Sequence, residues 1–391
     1  VSSETPKTQS GRHFLQIPGP TNVPDRVLRA MDRAVVDHRG PELPEVTFEV
    51  VANLRRVFGT ELGRIALWAG SGTGAWEATV VNTLNRGDRV LAFNNGIFAE
   101  KFAEVAGKFG ANVDLAEVRW GDAVSPELVT SKLNGHAAVL VVHNETSTGV
   151  TSDVSAIRRA IDASGQDPLL LVDTVSSLGS IDFRFDEWRV DVALTGSQKG
   201  LMLPPGIAIC CVSPRALERS KHVTTPRSFY DWGPLLDAME TGYFPATPPT
   251  LELYGLREAL RMLHEEGLDH VYRRHGRLAE GVRRAVEAWD LAFLCREREH
   301  LSNSLTAVVC ETADTDKLLK LSEVHLNLSL GAGLGRLKGK VFRIGHLGAL
   351  NELEVLATLG GVELALEMAG EKVELGSGVA AAQRWFQEDG W

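Results

Sequence analysis

Between about residues 50 and 215, short apolar runs rich in β-branched residues alternate with stretches of helical periodicity. That alternation constrains the fold more than any other feature of the chain. Ile65–Trp68, Arg89–Ala92, Ala138–His143, Leu169–Val172, Val192–Thr195 and Ile207–Val212 have the length and character of strands. Ala75–Leu84, Ile97–Gly110 and Val154–Ser164 read as helices between them. A strand–helix–strand rhythm predicts a layered α/β domain with a mostly parallel sheet. Ligands of such sheets gather at the carboxyl ends of the strands.

At 391 residues the chain exceeds what one small core organises, so a second, smaller domain is expected. The proline-rich stretch Phe244-Pro-Ala-Thr-Pro-Pro249 reads as a rigid loop. A long helical pattern over Leu251–Trp289 follows it, and strands are expected near Ser304–Val309 and Lys340–Ile344. The division predicted is an N-terminal arm over 1–22, a large domain over 23–266 and a small α+β domain over 267–391.

The net charge of −10 speaks against nucleic acid or an anionic membrane surface as partner. No apolar stretch approaches the roughly 18–20 residues of a membrane span. The first ten residues lack a hydrophobic signal core and read as a flexible tail, and Asp389-Gly390-Trp391 matches no common targeting signal. Cys210, Cys211, Cys295 and Cys310 show no metal-ligand spacing, and no metal site is expected. The adjacent pair, inside an apolar run, fits a reducing compartment, so the expected location is the cytoplasm.

Three groups carry candidate chemistry. Gly70-Ser-Gly-Thr-Gly74 lies between an apolar strand and a helix, where glycines let the backbone approach an anion and free N–H groups point at it. A dinucleotide site shares this pattern but needs an acidic residue at the end of the next strand. That strand ends in Phe93-Asn94-Asn95. Asp173 directly follows Leu169–Val172, a position suited to a metal, a helix cap or a cationic ring nitrogen. Lys199 closes the strand after Asp191; burial there would lower its pKa, as a Schiff-base amine requires, while a snorkelling surface lysine is the plainer reading. A phosphate cradle, a strand-end aspartate and a strand-end lysine, in that order, describe a pyridoxal-phosphate site.

The chain resembles the class V aminotransferases, in particular the group that uses glyoxylate as amino acceptor. The resemblance runs through Ile17-Pro-Gly-Pro-Thr-Asn22, Gly70-Ser-Gly-Thr-Gly-Ala-Trp-Glu77, His143-Asn-Glu-Thr-Ser-Thr-Gly149, Val172-Asp-Thr-Val-Ser-Ser177, Thr195-Gly-Ser-Gln-Lys-Gly200 and Lys340-Val-Phe-Arg-Ile-Gly345. The ending Gly376–Ala382 points the same way. It implies fold type I of the pyridoxal-phosphate enzymes and transfer of the amino group of a small amino acid to glyoxylate. Serine is the favoured donor, with aspartate and alanine as alternatives.

By the same resemblance, Lys199 is the lysine that joins the cofactor and moves the proton at substrate Cα, and Asp173 keeps the pyridine nitrogen protonated. Ser71, Gly72 and Thr73 bind the phosphate with help from Gln198. Phe98 stacks on one face of the ring, Val175 lies on the other, and Thr146 approaches the phenolic oxygen. Tyr243 and Thr247 reach the phosphate in the neighbouring subunit of a homodimer. Arg343 grips the substrate α-carboxylate, which a planar guanidinium binds through two parallel hydrogen bonds; a surface ion pair is the competing reading. The turn carrying Gly19 closes over the substrate, and Arg39 is the candidate second cation for aspartate, against a partnership with Asp37 or a dimer contact. His346 is expected to be structural. A cysteine desulfurase-like lyase needs a mobile cysteine near the substrate, and Cys310 in its apolar run suits that poorly.

Overall fold

The computed structural model describes residues 11–310 and 314–390. The predicted N-terminal tail, 1–10, and the terminal Trp391 lie outside the described residues.

Fourteen strands among the described residues form three sheets. In chain order they are β1 (Phe14–Gln16), β2 (Arg64–Ala69), β3 (Arg89–Asn94), β4 (Asn112–Glu117), β5 (Ala138–Val142), β6 (Asn144–Glu145) and β7 (Val150–Thr151). The remainder are β8 (Leu169–Asp173), β9 (Val192–Gly196), β10 (Ile207–Val212), β11 (Ala292–Phe293), β12 (Leu305–Val309), β13 (Leu328–Ala332) and β14 (Val341–Gly345). The large sheet has the order β2-β10-β9-β8-β5-β3-β4. Its β4, β3, β5, β8 and β9 pair in parallel, and β10 runs antiparallel to both β9 and β2. Since β10 alone is reversed, β2 points the same way as the parallel strands, and their carboxyl ends share one edge. The near-continuous apolar sequences of β5, β8 and β9 follow from burial on both faces, since every residue of the three is buried.

The smaller sheet, β1-β13-β14-β12-β11, draws its first strand from the N-terminal arm, where Phe14–Gln16 runs parallel to Leu328–Leu330. Two main hydrophobic cores correspond to the two sheets, one drawn from residues between Val27 and Val271 and the other from residues between Leu278 and Phe386.

The helical pattern over Leu251–Trp289 is two helices, Thr250–Glu266 and Leu268–Ala288, and this corrects the single run read from the sequence. Gly267 sits between them at φ +85°, a conformation that a β-carbon disfavours. The apolar periodicity continues on both sides of the break and so conceals it. The strand expected over Ile207–Val212 has those bounds, and the other predicted elements shift by at most three residues: the helix expected from Ala75 starts at Gly72, and that expected to reach Gly110 ends at Lys108. Among the described residues no helix is long and apolar enough to cross a membrane.

Candidate active site

At the carboxyl edge of the large sheet lies a cavity of about 540 Å³. Ser71, Gly72 and Thr73 approach it from the turn after β2, and Asp173 and Val175 from the end of β8. Gln198 and Lys199 come from the turn after β9. Thr146 and Phe98 complete the set of sequence candidates that line it. Trp76, Val142 and Asn144 also line it and were not singled out from the sequence.

The helix Gly72–Thr83 opens on this cavity with Ser71 as its N-cap, and the Ser71 side chain makes no capping bond. Gly72 packs against Val175, whose Cγ2 would lie 2.7 Å from an added β-carbon. A β-carbon on Gly196 would lie 2.9 Å from the Gly72 nitrogen and 2.7 Å from Gln198 Oε1. That Gln198 oxygen is buried and has no hydrogen-bond partner among the described residues.

Asp173 is 3% exposed. Val175 N–H donates to its Oδ1 at 2.7 Å, and Trp76 Nε1–H donates to its Oδ2 at 2.7 Å. Burial, opposed by these two bonds, lifts its pKa to about 7, and the Glu145 charge adds to the rise. Burial lowers the Lys199 amine to about 8, and the nearby Arg343 charge works in the same direction. The Lys199 amine donates to the Pro18 carbonyl. Thr21 N–H donates to the Gln198 carbonyl at 3.1 Å, and Thr21 Oγ1–H to that of Lys199 at 3.1 Å. The arm is thus fastened to the lysine turn. Gly19 faces the lysine so closely, at φ +102°, that a β-carbon would fall 2.4 Å from Nζ.

Arg343 projects from β14 and is 7% exposed. It donates through Nε to the Ala332 carbonyl at 2.9 Å and through Nη1 to the Thr146 carbonyl at 2.8 Å. It therefore stands directly behind a cavity residue, held by main-chain carbonyls and not by a surface carboxylate. Burial lowers its pKa to about 10.

Glu145, fully buried, ties these parts together. Its Oε1 accepts from Ser147 N–H at 2.9 Å and Ser147 Oγ–H at 2.6 Å. Its Oε2 accepts from Phe98 N–H at 3.1 Å and Ala99 N–H at 3.0 Å, in the first turn of the helix Ile97–Lys108. A carboxylate three residues beyond an all-apolar strand was the available signal, inside a motif already noted.

The remaining candidates lie elsewhere. Arg39 is exposed, and only its main-chain N–H reaches the Asp37 carboxylate. Tyr243 is half-buried, and exposed Thr247 lines a separate apolar hollow with Trp68, Phe229 and Phe244. His346 is fully buried and bonds Thr306 and the Asn303 carbonyl, a structural setting. Cys310 is 4% exposed, and burial pushes its thiol up to about 12. Among the described residues no group of three or more His, Cys, Asp or Glu is placed to hold a metal ion.

Residues 13–334 match the family model for class-V aminotransferases. This chain is a class V aminotransferase. A serine–glyoxylate aminotransferase of Methylorubrum extorquens is 47% identical over 97% of each chain. An L-aspartate–glyoxylate aminotransferase of Paracoccus denitrificans is 41% identical over 95% of this chain and 96% of its own. Among solved structures, a ureidoglycine–glyoxylate aminotransferase of Bacillus subtilis superposes with a TM-score of 0.90 at 27% identity, covering 97% of this chain and 100% of its own. Membership of this aminotransferase family implies pyridoxal phosphate as the prosthetic group.

Proposed function

We propose that this aminotransferase uses pyridoxal phosphate held by Lys199 to transfer the amino group of serine to glyoxylate, releasing hydroxypyruvate and glycine. The observation that carries the reading is that Lys199 and Asp173 face one cavity beside an uncommitted helix N-terminus, with Arg343 immediately behind Thr146.

The residues fit the cofactor. The free N–H groups at Gly72 and Thr73, with the idle Ser71 hydroxyl, suit a phosphate at the positive end of a helix dipole. Turned over, the unpartnered Gln198 amide adds two donors there. Phe98 and Val175 supply apolar surfaces for the two faces of a flat ring.

Bound pyridoxal phosphate supplies an electron sink for the charge left at substrate Cα. Asp173 holds a proton at the ring nitrogen. Arg343 binds the substrate α-carboxylate and orients the Cα–H bond. Lys199, whose amine faces the cavity, would take the proton from substrate Cα and, as the ammonium, give it up again to complete the amino transfer. A pKa of about 8 leaves roughly a tenth of the amine neutral at pH 7, whereas an ordinary lysine has under about one part in a thousand.

Among the described residues lining the cavity, Lys199 carries the only positive charge. With Arg343 taking one carboxylate, this arrangement suits a donor with a neutral side chain, such as serine, better than a dicarboxylate. Titrating the holoenzyme with serine, aspartate and alanine separately, while following visible absorbance, tests the reading. Serine should change the spectrum at the lowest concentration, and glyoxylate should restore it. Lys199→Ala should abolish turnover; a variant that retained substantial turnover would defeat the assignment.

A further inference from the structure

Among the described residues lining the cavity, Asp173 carries the only carboxylate, and its two oxygens are held very differently. Oδ1 is bonded by the main-chain N–H of Val175, two residues on, which any sequence with this turn would supply. Oδ2 is bonded by a side chain from another element, the Trp76 indole in the first helix turns after the glycine-rich loop. Trp76 is 5% exposed, and its ring stacks on Phe102 with centroids 5.8 Å apart and planes 15° from parallel. Phe102 lies on the helix that also carries Phe98. The indole is thus clamped, and its N–H direction is set by packing.

Two donors, one on each oxygen, fix the plane of a carboxylate, while each oxygen keeps a further lone pair for a ligand. They also favour the charged form, which burial and the Glu145 charge oppose. We propose that Trp76 is a positioning residue for Asp173: its indole N–H keeps that carboxylate charged and aimed at a cationic ring N–H in the cavity. This rests on the cofactor reading above and adds to it the residue that sets the ring-nitrogen contact. The competing account is that Trp76 only fills space between two helices.

The test compares the dissociation constants of apo-protein for pyridoxal phosphate and for the analogue in which the ring nitrogen is replaced by C–H. The analogue offers Asp173 nothing to bind. Wild type should prefer the native compound. Trp76→Phe should weaken native binding by on the order of tenfold while leaving the analogue within about twofold, because a charge-assisted contact is lost only where the nitrogen is present. Equal weakening of both compounds, or no change in either, overturns the proposal. Wild-type protein that binds neither compound overturns the cofactor reading and this inference with it, so the two failures are distinguishable. Should Trp76→Phe not fold, wild type labelled with 15N-tryptophan decides. The Trp76 indole signal, one of eight in the chain, should move when the analogue replaces the native compound, and absence of movement overturns the assignment.

Discussion

Asp173 is held in a state that costs the empty protein stability. Its folded pKa of about 7 stands above the usual carboxylate value near 3.9, so the folded form binds the proton more readily than the unfolded chain. Stability is therefore lost as pH rises through the window between those values. Asp173→Asn removes the ionisation and keeps the size, but turns one acceptor oxygen into an NH2 facing the N–H of Val175 or Trp76 at any pH. The stability of apo wild type relative to the variant should fall by on the order of a few kcal/mol between about pH 5 and about pH 8, on top of a pH-independent cost of the lost bond in the variant. Melting curves of both apo-proteins at the two pH values check this. The buried histidines His143, His275 and His346, whose pKa values burial depresses to about 4, 3 and 3, are common to both proteins and largely cancel in the difference. A gap independent of pH would mean that Asp173 is not buried in a titrating form. Cofactor affinity should fall in the same variant, since the site is built for the charged carboxylate.

The first turn of the helix Ile97–Lys108 depends on a group outside it. Glu145 accepts from two of the helix's first N–H groups and from Ser147, which in turn accepts from Ile97 N–H at 3.0 Å. Glu145→Gln turns one acceptor oxygen into an NH2 donor facing donors, and should cost about 2–4 kcal/mol in urea unfolding of the apo-protein. Where the NH2 replaces Oε2, the bonds from Phe98 and Ala99 N–H are lost, and turnover should fall as well because Phe98 lines the cavity. Unchanged unfolding would show that the carboxylate is not the clamp. This arrangement also marks where sequence reading stops. Asp173 and Lys199 were legible because each follows a short apolar strand and the two stand in order after a glycine-rich turn, a combination narrower than the several uses each has alone. Glu145 was not, since Ser147 satisfies only one of its oxygens and the donors to the other come from residues nearly fifty positions away. The β1–β13 pairing is equally invisible, because a three-residue strand carries no periodicity and its partner lies over 300 residues on. Trp76 belongs to the stretch Gly70–Glu77, but its contact with Asp173 exists only once helix and sheet are packed.

At the scale of the molecule, the cavity of a single chain is lined by the expected phosphate, ring and lysine candidates, with Arg343 behind Thr146 and Gly19 against Lys199, while Arg39, Tyr243 and Thr247 lie apart from it. Tyr243 and Thr247 sit on the proline-rich loop, beside an apolar hollow of about 370 Å³ where Phe229 is half exposed. Their expected role in the neighbouring subunit's site requires a homodimer in which each site draws its lysine from one chain and its loop from the other. That arrangement makes inactive variants complement each other. A Lys199→Ala chain lacks its own amine but still offers an intact loop, while a Tyr243→Ala/Thr247→Ala chain offers a defective loop but keeps its lysine. In a hybrid dimer, one site combines both defects and the other has none. Mixing the two variants and letting subunits exchange should therefore restore activity to about a quarter of wild type, from half the dimers each carrying one whole site. If the loop served its own chain's site, both sites of every hybrid would remain defective, and the mixture would show no more activity than the two variants measured apart. Light scattering on the same samples checks that dimers are present, so an absence of recovery would count against the shared site itself.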